Sequence, residues 1–352
     1  MAARYWVGGS GTWNSSNTTN WSDTSGGTGG FSAPSYSDDV FFDSGSGAPT
    51  VTLSGSLYFN SFNVSDAVTF VDTSGSINIS GNFNWTYATG RTWNSTVFFQ
   101  GPYTGNTITA PASNTFNSIR FGGAGSWTLA SSITVSGTIT LGEATFNSAG
   151  YSVTAGAFSS PGIDPRTLAF GTSAWTVNGE WNCFSASNLT ITHSAGASLT
   201  FGGTTSLNFY GGGKSYPAIV NNISAVGSGS SINQLTFWGN NTLAAINCSS
   251  SASSSRSLRL TSGDTQTVTG AITLSGLSGY LAYLFASSIS QATLSKASGT
   301  VTATYASISN SAATGGATFT ALTSAGNVDG GNNTGWAFSV PGASDGNFMA
   351  FF

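Results

Sequence analysis

S-I-T-V-S-G-T-I-T-L-G (132–142), Y-S-V-T-A-G-A-F (151–158), T-L-A-F-G-T (167–172), W-T-V-N-G-E-W (175–181), N-L-T-I-T-H (188–193) and S-L-T-F-G-G (198–203) follow one another within Phe116 to Gly203, with little but turns between them. Each run carries apolar residues two apart: Ile133 and Val135, Ile139 and Leu141, Leu168 and Phe170, Leu189 and Ile191, Leu199 and Phe201. A period of two puts one set of side chains on one face of a strand and Ser or Thr on the other. Gly, Ser and Asn separate the runs and supply the tight turns. No run reads as an amphipathic helix. The chain coils strand after strand around one apolar interior.

Near copies of the same strands recur outside this stretch. T-V-T-L-S-G (50–55), S-I-N-I-S-G (76–81), S-I-T-V-S-G (132–137) and A-I-T-L-S-G (271–276) form one set. A second set ends in Phe and usually Gly, as in V-F-F-Q-G (97–101), I-R-F-G-G (119–123), L-A-F-G-T (168–172), L-T-F-G-G (199–203) and L-T-F-W-G-N (235–240). Phe99, Phe121, Phe146 and Phe170 are separated by 22, 25 and 24 residues. A degenerate period in the twenties, built only of strands and turns, suits one coil of a parallel β-solenoid. Equivalent strands then stack about 4.8 Å apart, and Phe121, Phe146 and Phe170 are expected to stack. An antiparallel sandwich would want Asn-Gly or Asp-Gly hairpin turns, and Asn178-Gly179 and Asp329-Gly330 are among the few. The expectation is an all-β chain forming a single elongated parallel β-helix.

Three segments are expected: an N-terminal Trp/Gly-rich cap over 1–48, a β-solenoid over 49–338, and an apolar C-terminal segment over 339–352. Trp6, Trp13 and Trp21 can close one end of an apolar stack, as terminal repeats do; the functional alternative is a sugar platform. G-Y-L-A-Y-L-F-A-S-S-I-S (279–290), the most apolar stretch, lies between strands and reads as a strand covered on both faces. After Val340-Pro341-Gly342, Phe348, Met349, Phe351 and Phe352 crowd the end. They are binding candidates that either plug the solenoid or dock on a neighbouring copy or another protein.

Composition narrows the function. Only 6% of the 352 residues are charged, 13% are aromatic and 47 are Gly. That much aromatic surface excludes a disordered Ser/Gly chain. A net charge of −4, with eight basic residues scattered singly, argues against nucleic-acid binding. No apolar run is long enough to span a bilayer as a helix, so no membrane insertion is expected. The opening M-A-A-R-Y-W-V-G-G has no apolar core and does not read as a secretory signal.

Catalytic and metal chemistry find few residues to work with. His193 is the single histidine, and it shares parity with Leu189 and Ile191, at an inward face or a corner. Cys183 and Cys248 are too few for a disulfide framework and have no ligand spacing with His193; they read as buried thiols. G-G-G-K-S (211–215) lacks the phosphate-loop pattern and a following helix. Asp38, Asp39 and Asp43 could hold Ca²⁺ but read as a solvated turn. Glycoside hydrolysis needs two carboxyls roughly 5–9.5 Å apart. Glu143 and Asp164 lie 21 residues apart, near one coil, with Glu180 beyond. Twelve acids give such a spacing by chance, so we expect no enzyme, no cofactor and no metal.

The opening W-V-G-G-S-G-T-W-N…N-W…P…D-D-V-F-F resembles the entry segment of glycine-rich repeats in autotransporter-type adhesins. The whole chain more closely resembles tailed-phage virion structural proteins of β-solenoid type. Matching units run through S-G-T-I-T-L-G…F-N-S-A-G-Y-S-V-T-A-G-A-F-S-S, G-G-G-K-S-Y (211–216) and Q-A-T-L-S-K-A-S-G-T-V (291–301) to the ending N-V-D-G-G-N-N-T-G-W-A-F. The resemblance implies a non-enzymatic bacteriophage structural protein on the virion surface, assembled in the host cytoplasm. It would be a tail fibre or spike contacting the host, its partners other virion proteins, itself as a homotrimer, and a host surface glycan. A capsid decoration protein, a glycan-degrading spike and a cell-surface adhesin are the alternatives. The Trp-rich segment starts by residue 6, so no separate particle-binding domain is expected ahead of it. Tyr210, Trp238 and the 279–286 stretch are more apolar than a lone surface needs, which is the ground for the trimer.

Overall fold

A computed structural model describes residues 1–73, 75–224 and 233–339. The chain divides into two compact units, Met1–Leu199 and Thr200–Phe352. Each is made of parallel stacked coils, so the chain is the all-β parallel β-solenoid its repeats lead one to expect.

In the early coils of Met1–Leu199, each turn carries three short strands, such as Phe62–Val64, Thr69–Asp72 and Ser76–Ile79. They belong to a first, a second and a third sheet. The first sheet stacks Ala3–Trp6, Asp39–Phe42, Phe62–Val64, Phe83–Trp85, Asn106–Thr109, Ser126–Leu129, Thr145–Asn147, Arg166–Ala169 and Leu189–Thr192, each parallel to the next. The first step, Ala3 to Asp39, spans 36 residues; from Asp39–Phe42 onward the register offsets range from 19 residues (Trp127 with Phe146) to 25 (Phe83 with Ile108). In later coils the second and third sheets merge. Ile133–Leu141 is one bent strand whose register shifts between Val135 and Thr138. Gly137 sits in that bend, where a β-carbon would lie 2.6 Å from the Asn117 carbonyl oxygen.

Alternation places apolar side chains inward. On the third sheet, Leu57, Ile77, Val97, Ile119, Ile139 and Phe158 form one buried column in unbroken register. Each buried side chain contributes about 1.5–3 kcal/mol relative to exposure. Outward positions on the first sheet are Asn63, Asn84, Thr107, Thr128, Thr145, Thr167 and their neighbours, without a charge from Phe62 to Thr192 apart from the buried Arg166.

The expected phenylalanine ladder forms only in part. Phe99 and Phe121 are register partners with rings 5.3 Å apart. Phe146 instead lies on the first sheet, between Trp127 and Leu168. Its ring meets Phe121 at 4.3 Å across the interior, and Phe170 follows the strand Arg166–Ala169. An interior only a few side chains wide lets a Phe from any sheet fill the same space. Spacing measured on Phe therefore mixed two sheets.

Trp6, Trp13 and Trp21 are all buried. Trp6 and Trp13 meet Trp21 edge-on at 5.1 and 5.0 Å, leaving no open platform for a sugar. Trp21–Ser22 runs antiparallel to Ala3–Trp6 and covers that strand's free edge. The same strand Ala3–Trp6 pairs parallel with Asp39–Phe42, so the tryptophans belong to the first coil.

In Thr200–Phe352, Leu207–Tyr210, Leu235–Trp238, Arg256–Leu260, Ala282–Ala286 and Ala306–Ser309 stack in parallel. Leu235, Leu258, Leu284 and Ile308 form a buried column. The expectation of two covered faces for 279–290 needs correction. Ala282, Leu284 and Ala286 are buried, whereas Tyr283 and Phe285 point outward and are half-buried. Tyr283 lies between Ser257 and Ser307, and Phe285 between Arg259 and Ser309.

Phe170 is fully buried, with Trp175 at 5.2 Å. Phe170→Ala is expected to cost about 3–5 kcal/mol in denaturant unfolding, while outward Thr167→Ala stays within about 0.5 kcal/mol. A loss under about 1 kcal/mol at Phe170 would mean that the faces are misassigned.

Candidate functional site

In each coil of Met1–Leu199 the chain passes from the third sheet to the first through one corner. Asn60 and Ser61, Gly81 and Asn82, residues 101–105, 123–125, 142–144, 160–165 and 183–188 occupy it in turn. Where the connection is long, the corner bulges outward and carries the exposed apolar side chains Tyr103, Ile163 and Phe184. Tyr36 and Tyr58 flank it, their rings 5.9 Å apart, and Tyr36 is tied to the second coil beyond its own by the Ser80 hydroxyl, which donates to its carbonyl at 3.2 Å.

A cleft of about 420 Å³ opens at this corner. Gln100, Arg120, Glu143 and Asp164, one from each of four successive coils, bring their side chains to its wall, and Gly122, Gly123, Gly142 and Gly162 form a ledge without side chains. Gly123 is required there: its φ is +75°, and a β-carbon would meet the Gly101 nitrogen at 2.7 Å. A second cleft of about 360 Å³ lies at the same corner in earlier coils, lined by Asp39, Asn60, Asn82, Tyr103 and Asn106.

Arg166 shapes the first cleft from beneath. Its guanidinium is buried and donates from Nε to the Ser160 hydroxyl at 2.7 Å, from Nη1 to the Asp164 carbonyl at 2.8 Å and from Nη2 to the Ser160 carbonyl at 3.1 Å. Nη2 also donates to the Ser185 carbonyl. Burial lowers the Arg166 pKa from its ordinary value, and the nearby Cys183 and Asp164 oppose that shift. The arginine thus ties the Pro161–Pro165 turn to the next coil and fixes where Asp164 stands.

Glu143 and Asp164, paired by spacing in the sequence, do share a cleft, but both are exposed. They lack the apolar enclosure in which a glycosidase acid is set. With an amide and a guanidinium beside them, they offer acceptors and donors to a ligand rich in hydroxyls. Glu180 is elsewhere: its Oε1 accepts from Asn182 Nδ2 at 3.0 Å, and it does not line the cleft.

The other candidates are used structurally. Asp38 accepts from the Ser35 nitrogen and hydroxyl at 3.0 and 2.8 Å. Burial would raise its pKa, but those bonds, the Arg4 charge and the Ala2 backbone together lower it. Asp39 accepts from Asn60 Nδ2 at 2.7 Å, and Asp43 caps the turn Ser44–Ser46. Among the described residues no three His, Cys, Asp or Glu side chains gather as a metal site, and no helix is long and apolar enough to cross a membrane. His193 is half-buried just beyond Leu189–Thr192, at a corner, and burial lowers its pKa. Cys183 and Cys248 are buried and form no disulfide with one another, and burial pushes Cys248 up to about 12 against the opposing influence of Arg256 and Asn221. Phe348, Met349, Phe351 and Phe352 lie outside the described residues.

Gln100, Arg120, Tyr103, Asn60 and Asn82 escaped the sequence reading. Their signal was position: Asn60 and Gln100 lie at the end of a third-sheet strand, Asn82 and Tyr103 in the corner that follows, and Arg120 points outward from the middle of the strand Ser118–Gly122.

The chain matches no family model, no curated protein and no solved structure.

Arg166→Ala is expected to lower unfolding stability by at least about 2 kcal/mol, because it orphans buried carbonyl acceptors of a charged donor. Arg166→Lys should not restore it, since an ammonium cannot reproduce the fork. Wild-type stability of Arg166→Lys in a denaturant titration would contradict the anchoring role.

Proposed function

We propose that this chain is a non-enzymatic structural protein of a bacteriophage particle, displayed on its surface as a short fibre or spike that meets the host. The phage context rests on the sequence resemblance, which runs from the W-V-G-G-S-G-T-W-N opening to N-N-T-G-W-A-F. The observation that carries the contact role is the corner of Met1–Leu199. There a coat of Ser, Thr and Asn gives way to exposed Tyr36, Tyr103, Ile163 and Phe184 around two polar clefts. Exposed apolar groups gathered with directional polar groups mark contact surfaces. A parallel ladder holds that corner in place without needing a bound partner to order it.

The exposed setting of Glu143 and Asp164 supports binding over hydrolysis. Self-association as a homotrimer draws support from a different surface. Tyr210 and Trp238 are register partners in Thr200–Phe352 with stacked rings 5.5 Å apart. Tyr283 and Phe285 face outward on strands of the same sheet. A capsid decoration would share the fold and differ in location.

Antibody-gold labelling of intact particles tests the reading, with gold expected at the tail. Gold on the head would make the chain a decoration, and unlabelled particles would overturn the proposal. Light scattering of the purified chain at micromolar concentration should give about three times its 35.7 kDa mass. A monomer would remove the trimer while leaving the particle assignment intact.

A further inference from the structure

We infer that the cleft lined by Arg120, Glu143 and Asp164 binds a diamino carboxylic acid of lysine's type, with its carboxylate on Arg120 and its two amines on Glu143 and Asp164. The inference gives one part of the corner a ligand and stands whether or not the chain belongs to a particle.

The order of charges carries it. Arg120 lies on the strand Ser118–Gly122, which pairs with Ile133–Leu141, and that strand pairs in turn with Val153–Ser159. Glu143 follows the second of these strands and Asp164 the third. One positive and two negative side chains therefore stand on successive coils, about 4.8 Å apart along the axis. All three are exposed and line the same cleft of about 420 Å³. Among the described residues no hydrogen bond engages any of the three side chains, and the Arg166 bond to Asp164 goes to its backbone carbonyl. The glycine ledge beside them leaves room for an alkyl chain between charged ends.

The chemistry of those groups selects the ligand. An ammonium has three donors and no acceptor, so each amine is matched by a carboxylate and repelled by Arg120. A carboxylate accepts from the guanidinium fork through both its oxygens. A plain diamine would leave Arg120 unmatched beside its amines, and an anion would meet two carboxylates. A ligand rich in hydroxyls can bond these groups, but it leaves all three charges unpaired. Arg166 does not change the order. It is buried beneath and donates to Ser160, Asp164 and Ser185, which holds Asp164 in place while offsetting part of its charge.

Ligand-observed NMR titration of the purified full chain with lysine at low salt tests the inference. Exposed ion pairs contribute little each, so the expected Kd is about 1 mM, and it should rise with ionic strength. Norleucine, lacking the side-chain amine, and cadaverine, lacking the carboxylate, should each bind about fivefold more weakly. Arg120→Gln should weaken lysine about fivefold without weakening cadaverine, whereas Glu143→Gln and Asp164→Asn should weaken both. Gly122→Val tests the ledge: a β-carbon there meets nothing within 4 Å, so the variant should fold and lose lysine binding. Melting curves identify any variant that fails to fold, and Thr190→Ala on the first-sheet face should bind as the native chain does. No saturable lysine binding up to about 20 mM, equal affinity for norleucine, or binding indifferent to these substitutions overturns the site. A neutral oligosaccharide that displaces lysine from the cleft also overturns it. Gold labelling of particles is read separately, so either reading can fail while the other stands.

Discussion

Parallel register between successive coils is the constraint on which everything else depends. Each strand donates and accepts along the axis, so every inward position faces an inward position above and below, and a slip of one residue would turn the apolar set out to water. Leu57, Ile77, Val97, Ile119, Ile139 and Phe158 hold one such column without a gap. The N-terminal edge, which would otherwise expose unpaired backbone, is covered by the antiparallel return of Trp21–Ser22 and the tryptophans around it.

Register fixes the strands but not the connections. Offsets of 19 to 36 residues along the first sheet show that length can be added without disturbing the ladder. In Met1–Leu199 the segments 101–105, 160–165 and 183–188 fall at the corner between third and first sheets, and both clefts open at that corner. Loops carried on a rigid scaffold are the usual home of binding groups. Arg166 shows how one is held: a buried guanidinium spends its donors on Ser160, Asp164 and Ser185 of the loops it joins.

Period-two alternation made the strands legible, because Ile, Val, Leu and Phe two apart have a single burial solution. Spacing in the twenties made the parallel coil legible for the same reason. The sheet to which each strand belongs was not legible. T-V-T-L-S-G at 50–55 lies on the second sheet and S-I-N-I-S-G at 76–81 on the third, because one motif satisfies the interior from either side. Phe121 and Phe146 touch from different sheets. Glu143 and Asp164 were found by their one-coil separation, since stacking brings such residues together. Tyr103 and Asn82 were not, because a corner residue has no periodic apolar partner to announce it, and Arg120 reads as one more outward residue of the strand Ser118–Gly122. Exposure of Phe285 was hidden by its neighbours in sequence, Leu284 and Ala286, which are buried.

Amide hydrogen exchange of the full chain, with and without cell-envelope fragments of a host bacterium, tests most directly the claim that the corner is the working surface. Protection should appear in 101–105, 142–144 and 160–165 and leave the first-sheet strands Thr145–Asn147 and Arg166–Ala169 unchanged. Protection confined to the strands Leu207–Tyr210, Leu235–Trp238 and Ala282–Ala286, with the corner segments exchanging as in the free chain, would contradict it.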